Sequence, residues 1–191
     1  QQISRLIETR PGDRIALVVF ADHAYLLSPL TQETKALLTL TRELDFDLVV
    51  LPIGGGGLIS GTIQSFARNE VASEIIGAEP SLANDAARSL TAGHLIANQT
   101  EPQTIADGTR TLSLGNLNWP IIRDSLKEII EVSEENIISA LRLHFEFANL
   151  KCEPTGALSL GAILEDTARF KHKKICIVVS GGNVDPEVYG K

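Results

Sequence analysis

Asp47-Leu48-Val49-Val50-Leu51-Pro52-Ile53-Gly54-Gly55-Gly56-Gly57-Leu58-Ile59-Ser60-Gly61 decides the fold. Behind Asp47, Leu48 to Ile53 form a continuous apolar run, and the stretch reads as a strand buried on both faces of a parallel sheet. After the four glycines, Ile59, Ile63 and Phe66 recur at i, i+4 and i+7, so a helix follows at once. The pattern repeats outward. Arg14–Phe20, Glu74–Ala78, Glu128–Val132 and Lys174–Val179 read as further strands, the first as another buried strand of parallel type. Helices are expected over 32–44 behind Thr31, over 83–90, over 121–126, from a Ser133 cap, and over 155–168 with Pro154 at the first position. Strands alternating with helices give an α/β fold: three layers, a mostly parallel sheet, helices on both faces. Residues 92–120 carry no strong element and are rich in turn formers, and a stretch of that length is usually functional.

Composition narrows the function classes. The 191 residues are 43% apolar and 21% charged, with a net charge of −7. That suits one globular domain and gives no basic surface for nucleic acid. No apolar run reaches the roughly 20 residues of a membrane span. Cys152 and Cys176 lack CxxC spacing, and a reduced cytoplasmic chain is the default. His23, His94, His144 and His172 form no ligand cluster, and no GxSxG motif is present. The chain has no Met and opens Gln1-Gln2, which leads us to expect a fragment, fusion or processed piece.

In open α/β sheets ligands bind beyond the carboxyl ends of strands, and three motifs fall there. Gly54–Gly57 with Leu58 lies between a buried strand and an amphipathic helix. Glycines let an anion approach backbone amides, and the helix adds its N-terminal partial charge, so a phosphate cradle is favoured over a flexible turn. The spacing is neither GxGxxG nor GxxxxGK[ST], which disfavours dinucleotides and nucleoside triphosphates. Ser180-Gly181-Gly182-Asn183 is either a plain turn or a site in which the Ser180 hydroxyl meets a ring nitrogen or phosphate. Glu79, Ser81, Asn84 and Asp85 share one strand-to-helix turn. They are either helix caps or part of a hard-cation site of two carboxylates, a backbone carbonyl and waters. Glu153-Pro154-Thr155-Gly156 could be a helix start and nothing more.

Taken together, DLVVLPIGGGGLISG (47–61), IIGAEP (75–80), TIADG (104–108), WPIIRD (119–124), CEPTG (152–156) and ICIVVSGGNVD (175–185) resemble the pyridoxal-phosphate-dependent serine/threonine dehydratases and serine racemases of fold type II. The resemblance runs from about Asp45 to the end and implies an incomplete tryptophan-synthase-β-like large domain over residues 32–191. It implies that Gly54, Gly55, Gly56, Gly57 and Leu58 hold the phosphate of pyridoxal 5'-phosphate, that Ser180 bonds the pyridine nitrogen, and that Glu153 lies beside the cofactor. A serine hydroxyl there makes a weaker electron sink than a carboxylate partner would, favouring prompt loss of a β-hydroxyl. Glu79, the carbonyl of Ala83 and Asp85 match the divalent-cation site of these relatives, with Mg or Ca as the ion. Asn183 matches a nucleotide-contacting position of the racemases, whereas Asn149 stands where they carry a second one, a lysine.

The implied activity is dehydration and deamination of a serine- or threonine-type hydroxy amino acid to a 2-oxo acid and ammonia, with racemization within the same class, by a homodimer. The family's Schiff-base lysine, in a Ser-Phe-Lys-like motif, has no counterpart among Lys35, Lys127, Lys151, Lys171, Lys173, Lys174 and Lys191. The small domain that clamps the substrate carboxylate is also missing, so little or no turnover is expected from the isolated chain. RPGDRIALVVFADHAYLLSPLT (10–31) instead resembles part of a von Willebrand factor A domain without its Asp-x-Ser-x-Ser metal motif. Residues 1–31 are therefore expected to be a separate segment, and a chimeric or interaction module without catalysis is the alternative from another class.

Overall fold

Leu48–Pro52 forms the central strand of a six-stranded sheet, and every one of its residues is buried. The computed structural model describes residues 15–20, 24–31 and 46–182, the first two stretches as backbone only. The helix expected over 32–44 and Asn183 lie outside the described residues. In chain order the strands are β1 (Ile15–Phe20), β2 (Ala24–Thr31), β3 (Leu48–Pro52), β4 (Glu74–Pro80), β5 (Ile129–Val132) and β6 (Ile175–Ile177). The helices are α1 (Gly57–Arg68), α2 (Asp85–Ala92), α3 (Trp119–Ser125), α4 (Glu134–Ala148) and α5 (Pro154–Glu165). Single 3-10 turns cover Ser81–Ala83 and Asp107–Thr109.

The strand order is β2-β1-β6-β3-β4-β5. β6, β3, β4 and β5 run parallel, with Val50 opposite both Ile76 and Ile177 and Pro80 opposite Val132. β1 corrects the expectation of a parallel-type strand: it pairs antiparallel with β2 and with β6, setting Val19 opposite Cys176. Thr31, expected to cap a helix, ends β2. An apolar run points to burial, whereas a strand's direction is set by its partner strands and not by composition.

Two apolar layers sandwich the sheet. On one face α4 and α5 pack together, and Val50, Ile76 and Ile177 meet Ile137, Leu141, Leu158 and Leu160. On the other, Val49, Leu51 and Ile53 meet Ile59, Ile63, Trp119 and Ile122. Helix α5 is buried over its first nine residues, Pro154 through Ala162, because it lies beneath α4 and across β3, β4 and β5. It ends at Glu165, three residues before the expected end, in a run of turns. Ser133 caps α4 as expected, accepting from the Asn136 amide at 3.3 Å. Among the described residues no helix is long and apolar enough to cross a membrane.

From β3 the chain moves to β4 on one side, whereas β6 adds on the other. The gap beyond the carboxyl ends of β3 and β6 is thus a topological switch point, where such sheets bind ligands.

Candidate active site

A cavity of about 320 Å³ lies at that switch point. Its walls are Pro52, Gly54, Gly55, Gly56, Gly57 and Leu58 from the β3–α1 turn, Gly108 and Thr109 from the irregular loop, Glu153 and Thr155 from the start of α5, and Ser180 and Gly181 beyond β6. All seven residues expected from the sequence to touch cofactor therefore meet around one space. The volume falls at the lower end of the range for small-molecule sites.

The glycine loop is held from behind. Gly56 has φ +86°, and a Cβ there would stand 2.8 Å from Ile122 Cδ1 and 3.1 Å from both Leu114 Cδ2 and Asn118 Cβ. Glycine is needed at Gly56 for conformation and for space alike. A Cβ on Gly55 or Gly57 would meet nothing within 4 Å, so these two face open space. The Gly55 carbonyl accepts from the Gly115 amide at 3.0 Å and from Asn118 Nδ2 at 2.7 Å. Among the described residues no acceptor takes the amide hydrogens of Gly54 through Leu58. Those of Gly57 and Leu58 lie in the first turn of α1, where amides lack helical partners. Unspent donors at a helix N-terminus, with open space before them, suit a phosphate.

The facing wall is equally close-built. Gly156 lets α5 approach the loop after β6, since a Cβ there would sit 2.7 Å from the Ser180 carbonyl. Gly181, at φ +86°, leaves room for the Glu153 carboxylate, and the Glu153 amide donates to the Gly181 carbonyl at 3.4 Å. The Thr155 hydroxyl accepts from the Gly108 amide at 3.0 Å, tying the irregular loop to α5. Glu134, in the first turn of α4, holds the same loop by accepting from Thr104 Oγ1 at 2.5 Å and the Ile105 amide at 2.8 Å. Cys152, next to Glu153, is no nucleophile: burial and the neighbouring carboxylate push its thiol up to about 12.

The second set lies beyond β4. Glu79 and Asp85 are 1% and 2% exposed, and Ala83 is buried between them in sequence. Glu79 accepts from the Ala86 amide at 3.2 Å and the Ala87 amide at 2.6 Å, so it takes the capping role at α2 that sequence offered to Ser81 or Asn84. Burial pushes Glu79 up to about 8 against the pull of those amides, and Asp85 adds to the upward push. Burial raises Asp85 as well. One Asp85 oxygen accepts from Asn98 Nδ2 at 2.9 Å, and the other is buried without a hydrogen-bond partner among the described residues. Arg88 donates to Asn98 and to Asn84. Among the described residues no three His, Cys, Asp or Glu side chains cluster as a metal site. The two carboxylates with the Ala83 carbonyl are an all-oxygen set, of the kind hard cations take. Asn149 is the exposed left-handed cap of α4.

Gly181 lines the cavity from the Ser180–Asn183 turn that the sequence singles out, whereas Gly108, Thr109 and Thr155 line it with no role expected from the sequence. Their signal was the long irregular stretch 92–120 and the helix start at Pro154. Both were visible as features, but which strand end they cover depends on the strand order.

The profile of the family described as "Pyridoxal-phosphate dependent enzyme" matches residues 28–181. The chain is 34% identical over 189 residues to an L-threo-3-hydroxyaspartate ammonia-lyase from Pseudomonas sp, covering 99% of this chain and 58% of the relative. It is 42% identical over 159 residues to a serine racemase of Arabidopsis thaliana, covering 81% and 47%. Among solved structures, a threonine deaminase from T.th. superposes with a TM-score of 0.73 at 39% identity, covering 80% of this chain and 55% of that one. The chain thus spans about half the length of the curated relatives it matches. None of these is a von Willebrand factor A domain; that resemblance of residues 1–31 is not shown, and the first alignment takes in most of that segment.

Proposed function

Because the chain belongs to the pyridoxal-phosphate dependent enzyme family, we propose that it forms the cofactor-phosphate half of an enzyme eliminating water and ammonia from serine-, threonine- or 3-hydroxyaspartate-type substrates. The observation that carries this reading is one cavity lined both by Gly54–Leu58, whose amides meet no acceptor among the described residues, and by Ser180. Pyridoxal phosphate, when bound, supplies an electron sink conjugated to the substrate α-carbon.

The protein's own part is positioning. Gly54 to Leu58 would bind the phosphate through their amides, with the α1 N-terminus behind them. The Ser180 hydroxyl would donate to the ring nitrogen, orienting the ring without giving it a full proton. Glu153, held against Gly181, would wall one side of the ring. Glu79, the Ala83 carbonyl and Asp85 would bind Mg or Ca, and the unpartnered Asp85 oxygen is the feature that supports this. Among the described residues no lysine lines the cavity. The chain alone is therefore expected to bind cofactor reversibly and to turn over little or nothing. We treat residues 32–191 as the cofactor-binding portion.

Equilibrium dialysis against pyridoxal phosphate, with and without inorganic phosphate, tests this. Saturable binding that phosphate competes away is expected, and absence of binding would sink the proposal. Racemization is the second reading, favoured by the serine racemase similarity. Chiral chromatography of serine incubated with the complete enzyme separates the two, since racemization leaves D-serine and elimination leaves a 2-oxo acid.

A further inference from the structure

We propose that Asn118 is a positioning residue that aims the phosphate cradle, an inference that rests on the cofactor reading above. Asn118 stands at the N-cap of α3, where an Asn side chain would ordinarily accept from the helix's own amides. It makes no such bond. Its Nδ2 reaches across 63 positions of sequence to the Gly55 carbonyl at 2.7 Å. The Gly115 amide donates to the same oxygen at 3.0 Å, so that carbonyl is gripped by two donors on the side away from the cavity.

The consequence follows from peptide geometry. Across a planar trans peptide the C=O and the next N–H point in opposite directions, and among the described residues no peptide bond is cis. Holding the Gly55 carbonyl back toward α3 therefore turns the Gly56 amide the other way, toward the cavity that Gly55 and Gly56 both line. Asn118 is itself fixed. Its amide donates to the Gly115 carbonyl at 2.9 Å, its carbonyl accepts from the Ile122 amide at 3.0 Å, and a Cβ on Gly115 would press on its Nδ2 at 2.9 Å. The loop is thus aimed before ligand arrives, and the ordering cost falls on folding instead of binding.

The test uses the 191-residue chain, unsubstituted and as Asn118→Ala, Asn118→Asp and Gly115→Ala. Each is titrated calorimetrically with pyridoxal phosphate, pyridoxal and inorganic phosphate, beside urea unfolding. The Asn118 variants are expected to bind pyridoxal phosphate and inorganic phosphate about tenfold more weakly, the scale of one lost hydrogen bond. Pyridoxal, which lacks the phosphate, should bind as before. A merely structural role would weaken all ligands together, and that outcome overturns the proposal, as does unchanged phosphate affinity in variants that fold. Asn118→Asp keeps the side chain's shape while removing the donor, and it carries the test should Asn118→Ala unfold. Gly115→Ala is expected to copy the loss by displacing the side-chain amide. If the unsubstituted chain binds no pyridoxal phosphate, the cofactor reading fails. If it binds and the Asn118 variants match it, the positioning role alone fails.

Discussion

Replacing Gly56 and Gly57 one at a time with alanine should move stability in opposite directions. At Gly56 the backbone sits at φ +86°, where an L-residue costs about 1–2 kcal/mol relative to glycine. The new methyl would also stand 2.8 Å from Ile122 Cδ1 and 3.1 Å from Leu114 Cδ2, atoms of buried side chains with little room to yield. Overpacking of that kind costs about 1–3 kcal/mol. The two effects together remove roughly 2–5 kcal/mol from a domain whose whole stability is on the order of 5–15 kcal/mol. For a chain of this size that lowers the melting temperature by about 10 °C. Gly57 differs: it is the first residue of α1, and a Cβ there meets nothing within 4 Å. Alanine should stabilise the helix by about 0.4–1 kcal/mol, raising the melting temperature by about 2 °C. The same methyl adds bulk to the cavity wall, so Gly57→Ala should be the more stable protein and the weaker binder of pyridoxal phosphate. Thermal melts with and without cofactor read both effects. If Gly56→Ala melts within about 2 °C of the parent, or Gly57→Ala falls as far as Gly56→Ala, then the loop is a loose turn and the reasoning about its back wall is wrong.

His144 is 1% exposed, its Nε2 has no hydrogen-bond partner among the described residues, and burial holds its pKa down at about 4. The unfolded chain then binds the extra proton first. Stability is full above about pH 6.5 and is lost toward pH 4, by about 3 kcal/mol. His144→Leu should flatten that slope in urea midpoints taken across the window, and an unchanged slope would clear His144 of responsibility. Ser180→Ala removes one donor at the cavity mouth and should weaken pyridoxal phosphate binding several-fold with less than about 0.5 kcal/mol change in unfolding. A parent-like affinity would take the ring-nitrogen role away from Ser180. Asp85→Asn replaces a buried carboxylate whose second oxygen has no hydrogen-bond partner among the described residues. Mg or Ca is expected to raise the melting temperature of the parent and to leave Asp85→Asn unmoved, while an equal rise in both places the ion elsewhere.

Much of the architecture was legible because β3 and β6 are apolar and buried throughout, and β4 carries the apolar core Ile75–Ala78 closed by Pro80. The glycine loop and Ser180 were legible for the same reason: each follows directly on a strand, so its place at a carboxyl end needed no tertiary information. What sequence could not supply were relations between distant segments. The antiparallel placement of β1 beside β6 depends on pairing. So does the descent of Gly108 and Thr109 onto the β3 end, which requires Glu134 and Thr155 to hold the loop from two helices.

Asn118 marks the boundary most sharply. Four consecutive glycines read as permissive backbone, and permissiveness normally opposes binding because order must be imposed when ligand arrives. The structure places the restraint 63 residues away, in a side chain whose local position suggests only a helix cap. The glycines then serve two needs that pull apart in sequence and agree in space. Gly56 must lack a Cβ so that Leu114, Asn118 and Ile122 can close on the loop from behind, and Gly55 and Gly57 leave the front open for an anion. A loop with serine or alanine in place of Gly56 could offer the same amides, but it could not be clamped against α3, and the direction of those amides would again be set by the ligand.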